Sequence, residues 1–284
     1  MKVISTIADF KQARRQISAS LGFVPTMGYL HEGHLSLVQR ATAENETVAV
    51  SIFVNPTQFG PTEDLAQYPR DTERDLGLLG KEGVDLVFMP SPEDIYPEGF
   101  STWVDVEKVT DRLEGELRPG HFRGVSTVVA KLFNIVEPTR AYFGQKDAQQ
   151  ALVIKKMVAD LNMNLEVILV PTVREPDGLA MSSRNVYLNP EERQASLVLW
   201  KSLNLARQLW SQGERDAEKV RRQMISLIQK EPLADIGYVS VAHPETLEEL
   251  SRIDRSALVS LAVRIGKTRL IDNITLDRNP TSKK

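Results

Sequence analysis

The chain has 284 residues, enough for one large or two modest domains at roughly 150 residues each. Hydrophobic residues make up 42%, and 35 basic against 38 acidic side chains leave a formal net charge of -3. That balance excludes a highly charged disordered chain and a polyanion-binding surface covering the whole protein. Cysteine is absent, and with it disulfides, zinc–thiolate sites, iron–sulfur ligation and thiolate nucleophiles. No apolar run reaches the about 18 residues of a membrane span. Asp9, Lys11, Arg14 and Arg15 stand where a secretory signal needs an apolar core, so the expected compartment is the cytosol.

In chain order, short apolar runs predict strands over residues 22–25, 48–54, 86–89, 141–143 and 165–170. Amphipathic stretches between them predict helices over 35–44, 72–81, 125–136 and 147–161. Continuous apolar strands separated by helices imply a parallel sheet covered on both faces, with right-handed crossovers: an α/β, Rossmann-like doubly wound domain. After Asp177-Gly178 the pattern changes. Asn189-Pro190-Glu191-Glu192 opens a helix with a cap, a proline at the first helical position and acids in the first turn. That helix runs to about Gln212 and stops at Gly213; a second spans 216–230 and ends before Pro232. Strand patterns follow at 238–242, 258–263 and 269–276, so the expected domains are 1–176 and a small α+β domain over 177–284. The polar tail 279–284 is expected to fray.

Gly266-Lys267-Thr268 imitates the end of a phosphate loop, but that motif needs a glycine at position 261, which is Leu261, and a helix rather than a strand afterwards. No GxGxxG is present, so a dehydrogenase-type dinucleotide site has no support. The informative stretch is Pro25-Thr26-Met27-Gly28-Tyr29-Leu30-His31-Glu32-Gly33-His34, between the first predicted strand and the first predicted helix. Gly28 permits a tight turn and Gly33 a close ligand approach. Exposed amides at the helix start, with its dipole, favour an anion such as phosphate. Two imidazoles three residues apart can face that anion as donors, or as cations when charge develops. The same pair also fits ordinary surface histidines, whereas zinc would need a third ligand and a different spacing.

Three further clusters follow strand ends or the domain boundary. Asn55-Pro56-Thr57-Gln58-Phe59 comes after the second predicted strand. Gly144-Gln145-Lys146-Asp147-Ala148-Gln149-Gln150 offers a lysine for phosphate oxygens, Asp147 as a helix cap, and Gln150 about one turn after Lys146. Neutral amides at Asn55, Gln58 and Gln150 suit hydroxyls or a carboxylate in a buried pocket. Met181-Ser182-Ser183-Arg184-Asn185 sets two hydroxyls and a guanidinium on an expected flexible hinge loop, the parts of a phosphate-gripping lid. Arg118-Pro119-Gly120-His121-Phe122-Arg123-Gly124-Val125 fits either a pocket border or a structural turn. His243, before Pro244, reads as a loop residue.

A histidine pair after the first strand and a Ser-Ser loop after the sheet resemble the nucleotidyltransferase superfamily. The specific motifs go further. Pro-Thr-Met-Gly-x-Leu-His-x-Gly-His, Phe-Val-Asn-Pro-x-Gln-Phe, Arg-Pro-Gly-His-Phe-Arg-Gly-Val, Gly-x-Lys-Asp-x-Gln-Gln and Ser-Ser-Arg-Asn, in this order over residues 25–185, resemble the pantoate–β-alanine ligase family. The resemblance implies ATP-driven condensation of (R)-pantoate with β-alanine through a pantoyl adenylate, with magnesium accompanying ATP. It implies a homodimer acting on small molecules, without nucleic acid or membrane. Carried over by motif, Met27, Gly28, Tyr29, Leu30, His31, Glu32, Gly33 and His34 would bind ATP, with His34 the main catalytic donor and His31 beside it. Gly144, Gln145, Lys146 and Asp147 would hold the nucleotide, Val173 would line the adenine side, and Met181, Ser182, Ser183 and Arg184 would close over the triphosphate. Gln58 and Gln150 would hold pantoate, and Gln58 with Asn55 would lie near β-alanine. Three positions depart from the pattern: Ala180 where the wider superfamily has lysine, Gln145 in place of glutamate, and Ala148 in place of an aromatic.

An adenylyltransferase that leaves AMP on its product, and a nucleotide-binding regulator without turnover, are the competing readings. The paired glutamines count against the first and the full set of phosphate donors against the second. The absence of basic stripes argues against a tRNA-binding synthetase fragment.

Overall fold

Val, Ile, Leu and Phe fill the six strand runs of the first part of the chain, and such strands need cover on both faces. The computed structural model, which describes residues 1–61 and 63–277, supplies it. β1 (Lys2–Ile4), β2 (Leu21–Thr26), β3 (Thr47–Ile52), β4 (Leu86–Phe88), β5 (Arg140–Gly144) and β6 (Glu166–Val170) form one parallel sheet in the order β1-β4-β3-β2-β5-β6. The helices between them are α1 (Ile7–Arg14), α2 (Glu32–Glu44), α3 (Thr72–Lys81), α4 (Pro92–Ile95), α5 (Glu114–Leu117), α6 (His121–Val136) and α7 (Ala148–Asp160). Alternation along the strands sends side chains to both faces. Val24, Val50 and Tyr142 pack with Leu37, Val38 and Ala41 of α2 and Leu79 of α3. Phe23 and Phe143 point the other way, where their rings meet Phe133 of α6, and Phe10 of α1 meets Phe88.

The chain runs outward from β2 through β3 to β4, then returns to the centre for β5 and β6. Direction therefore reverses between β2 and β5, and loops leaving the carboxyl ends of those strands sit where open α/β sheets bind ligands. This is the Rossmann-like, doubly wound layer structure the alternating pattern implies.

The second compact unit begins at Arg174, the first ending at Val173. It contains α8 (Pro190–Ala195), α9 (Leu197–Ser211), α10 (Ala217–Ile228) and an antiparallel sheet of β7 (Ala234–Ala242), β8 (Ser256–Ile265) and β9 (Thr268–Asp277). Its core joins Leu199, Leu203 and Ala206 of α9 and Val220 and Met224 of α10 to Val259, Leu261 and Val263 of β8. Gly266 and Lys267 are the two-residue turn between β8 and β9, so the false phosphate loop is a hairpin tip.

Several elements differ from the sequence expectation. β1 and α1 precede the strand read as first; a three-residue edge strand carries too short a pattern to register. The helix expected from Asn189 to Gln212 breaks at Ser196 into α8 and α9. α6 starts at His121 rather than 125, because Gly120 in a left-handed conformation (φ 82°) turns the chain into it. β7 starts at Ala234, and a bulge between Ile236 and Tyr238 hid its alternation. The tail 279–284 lies outside the described residues.

Candidate active site

The turn after β2 is built by its own side chains. Asp75 of α3, 1% exposed, accepts hydrogen bonds from the amides of Tyr29 (2.7 Å) and Leu30 (2.8 Å), holding Tyr29 at φ 51°. Burial pushes the Asp75 carboxyl up, against the pull of those two amides and Arg74. His31 is the N-cap of α2: its Nδ1 accepts from Gly33 N–H at 3.1 Å, and His34 Nδ1 accepts from His31 N–H at 3.4 Å. Two imidazoles thus occupy a capping box normally made by serine and glutamate. The expectation of exposed amides awaiting an anion is corrected here, because Tyr29, Leu30, His31 and Gly33 all donate to protein groups.

That arrangement fixes the proton. With Nδ1 accepting in both rings, each neutral imidazole carries its hydrogen on Nε2. The rings lie 4.1 Å apart between centroids. Burial, then the neighbouring His31, and also Lys146, push His34 down to about 3, and only Asp147 opposes them. In the protein without a bound anion His34 is therefore a neutral Nε2–H donor at physiological pH. The influence of Lys146 and Asp147 also shows that the loop after β5 reaches this turn.

In that loop Gln145–Asp147 form a 3-10 turn leading into α7. Asp147 occupies the cap position without a side-chain cap bond and lies 3.5 Å from Lys146 Nζ instead, a correction to its expected capping role. Adjacent glutamines diverge. Gln149, buried, donates to Val109 O and Arg112 O (2.8 Å each) and accepts from Glu114 N–H (3.0 Å), so it ties down the segment before α6. Gln150 is half-buried and makes no side-chain hydrogen bond among the described residues.

The amides after β3 diverge in the same way. Asn55, 1% exposed, donates to Gln58 Oε1 (3.1 Å) and Gly124 O (3.2 Å) and accepts from Tyr96 OH (2.8 Å) and Thr57 Oγ1 (2.9 Å). Its polar atoms are committed within the protein, and one of its bonds holds Gln58 Oε1. Among the described residues, Gln58 Nε2 has only the thioether of Met27 at 3.0 Å, a weak acceptor. Leu30 is core, 1% exposed, and Glu32 is exposed.

In the second unit, Arg174 and Ala180 pair as an isolated bridge around the three-residue connection Pro176-Asp177-Gly178. Arg174 grips Asp272 with two bonds (2.6 and 2.9 Å) and lies 3.8 Å from the centre of the Trp200 ring. Glu175 accepts from Asn185 Nδ2 (2.9 Å) and Arg193 (2.6 Å). Residues Ser183–Tyr187 form a 3-10 turn, with Ser182 Oγ accepting from Arg184 N–H at 3.3 Å. The segment expected as a flexible loop is a hydrogen-bonded turn, tied through Asn185 to Glu175 and to Ala180 O. Asp272, in a strand, carried no local sequence signal of its pairing with Arg174.

A pH effect on stability follows from two half-buried imidazoles. His34, and His121 at about 4, both sit below the ordinary value of about 6.5. The unfolded chain therefore binds more protons than the folded one between those values, and stability falls as pH drops below about 6.5. The urea midpoint at pH 5.0 is expected to lie clearly below that at pH 7.5, with this pair taking up as many as about two protons on unfolding. Equal midpoints would show that both imidazoles charge freely in the folded state.

Fold and site together define a class: a Rossmann-like α/β enzyme with a His-x-Gly-His turn at the switch point of its sheet and a small α+β unit following. Over residues 2–275 the chain matches the family model described as pantoate-beta-alanine ligase. It is 61% identical over 277 residues to the pantothenate synthetase of Herpetosiphon aurantiacus, covering 97% of this chain and 100% of that one. It is 62% identical over 278 residues to the pantothenate synthetase of Chloroflexus aurantiacus, with 98% and 99% covered. Among solved structures, the pantothenate synthetase of Thermus thermophilus superposes with a TM-score of 0.93 at 51% identity, covering 96% and 99% of the two chains. The Francisella tularensis pantoate-beta-alanine ligase, complexed with beta-gamma ATP and beta-alanine, gives a TM-score of 0.80 at 36% identity, with 96% and 97% covered. The chain belongs to the pantoate–β-alanine ligase family and is a ligase of that kind.

Proposed function

We propose that this protein condenses (R)-pantoate with β-alanine, using ATP and releasing AMP and pyrophosphate, the step that makes pantothenate. The observation that carries the reading is the pair of histidines held as donors beside Lys146 at the switch point, in a chain that matches the ligase family over nearly its full length.

A free carboxylate is a poor acyl donor, because oxide would have to leave. In the first step a pantoate carboxylate oxygen attacks the α-phosphorus of ATP, the bond to the β-phosphate oxygen breaks, and pyrophosphate departs. In the second, the neutral amine of β-alanine attacks the acyl carbon of pantoyl adenylate, the C–O bond breaks, AMP leaves, and the amine gives up a proton. Both steps gather negative charge on phosphate oxygens. Neutral Nε2–H donors at His34 and His31 and the ammonium of Lys146 answer that charge. By likeness to the family, Met181, Ser182, Ser183 and Arg184 bring two hydroxyls and a guanidinium to bind phosphate oxygens, and Arg184 and Lys146 are the cations offered in place of one at Ala180. Gly144, Gln145, Asp147 and Val173 hold the nucleoside. Gln58 and Gln150 bind pantoate through their underused carboxamides, and Gln58 borders the β-alanine position.

Magnesium arrives on the triphosphate, whose charge exceeds what one lysine and one arginine neutralise. Among the described residues no group of three or more His, Asp or Glu side chains could hold a metal, so no protein ligand and no step are assigned to it. Likeness to the family supports a homodimer working in the cytosol. No helix of the described residues is long and apolar enough to cross a membrane.

Pyrophosphate release tests the reading. With magnesium, ATP and pantoate, sustained release should require β-alanine and yield equal AMP and pantothenate. No release with any combination, from folded protein that binds ATP, would remove the ligase assignment for this chain.

A further inference from the structure

The segment from Arg118 to Val125 is rich in unusual residues, yet none of them has a part in the reaction as derived above. Its contacts converge on one place. Arg118 donates through Nε to Glu63 Oε1 (2.6 Å) and through Nη2 to Glu63 Oε2 (2.7 Å), a two-pronged pair. The same Nη2 reaches Gln58 O at 3.4 Å. Arg118 Nη1 lies 3.0 Å from His121 Nε2, and a guanidinium can only donate, so Nε2 accepts and the proton sits on Nδ1. Nδ1–H then donates to Gln58 O at 2.8 Å. Two side chains at the start of α6 therefore grip the backbone of the residue whose carboxamide faces Met27.

Sterics complete the grip. α6 presses its backbone against the turn carrying Gln58. A Cβ on Gly124 would lie 2.5 Å from Thr57 O and 2.8 Å from Gln58 N, so only glycine allows this approach. Gly124 O also receives Asn55, which holds Gln58 Oε1. Burial opposes ionisation of Glu63, but Arg118 outweighs it and holds the carboxyl below its usual range. The Arg118 and Glu63 side chains are only 15% and 24% exposed, so losing one leaves the other's charge poorly solvated.

We propose that Glu63, Arg118 and His121 form a buckle that positions Gln58, fastening the chain at Gln58 and Glu63 to one guanidinium so that the Gln58 carboxamide stays set for the pantoate carboxyl or hydroxyl groups. They are positioning residues, acting through Gln58. The functional half of this inference rests on Gln58 binding pantoate, as proposed above.

Glu63→Gln and Arg118→Lys test it, read by steady-state kinetics and by hydrogen exchange of the peptide spanning residues 55–60. Small displacements of a binding group can cost about 100-fold, and the expected result is a pantoate KM raised by about tenfold or more. The ATP KM should stay within about twofold, and amide exchange at 55–60 should quicken. Glu63→Asp, which keeps the charge, should recover part of the pantoate affinity. A purely structural role would lower the melting temperature while leaving the pantoate KM and local exchange unchanged, and that outcome in folded protein overturns the buckle. Quickened exchange with an unchanged pantoate KM would leave the buckle standing and overturn Gln58 as the pantoate ligand. Should Arg118→Lys fail to fold, Glu63→Gln alone decides, because its partly exposed amide keeps the shape of the site.

Discussion

Replacing His34 by alanine is expected to lower kcat by about 100- to 1,000-fold, the range typical of losing one donor to developing charge. The effect should fall on turnover more than on the ATP KM, because the donor matters most where the charge changes. Fold stability should hardly move, since the bond from His31 N–H to His34 Nδ1 is long, at 3.4 Å. His31 behaves differently. Its Nδ1 caps α2, so His31→Ala loses both a donor and a cap worth about 1 kcal/mol, whereas His31→Asn keeps an acceptor for Gly33 N–H and loses only the Nε2 donor. A His34→Ala protein within about threefold of normal turnover would show that the histidine turn does no chemistry.

Gly178→Ala is expected to destabilise the second unit by about 3 kcal/mol, combining overpacking with a left-handed backbone. Gly178 sits at φ 98°, and a Cβ there would lie 1.9 Å from Trp200 Cδ1. Trp200 cannot swing away freely, because Arg174 stacks on its ring at 3.8 Å while holding Asp272. Gly178→Asn separates the two causes: asparagine tolerates the left-handed conformation, so the destabilisation that persists in it is the collision. Thermal unfolding reads both, and unchanged melting in Gly178→Ala would mean that the connection at 176–178 rearranges without loss. The turn over Ser183–Tyr187 is tied through Asn185 to Glu175 and Ala180, on either side of Gly178, so turnover should fall with stability.

Local chemistry made the parallel-sheet domain and the histidine turn legible. Apolar runs mark strands, and a strand, glycine and helix in succession mark where a doubly wound sheet opens. Long-range partners were not legible. Asp75 stands 46 residues from Tyr29, on a helix that reads as ordinary and amphipathic, and nothing local says that its carboxylate faces inward. The same limit applied to the amides. Asn55, Gln149 and Gln150 look alike in sequence, and only packing shows that the first two are spent within the protein while the third is open. The motif from Arg118 to Val125 was conspicuous, yet its use depends on Glu63 and Gln58, about 60 residues upstream. β1 escaped notice because three residues cannot display a period.

The most direct test of the reaction is to follow oxygen from pantoate to AMP. With pantoate labelled by oxygen-18 at both carboxylate oxygens, and with ATP, magnesium and β-alanine, the AMP released should carry one labelled oxygen and the pantothenate should keep the other. Label absent from AMP and retained on pantoate or transferred to inorganic phosphate, with ADP as the nucleotide product, would contradict attack at the α-phosphorus and the adenylate route derived from this site.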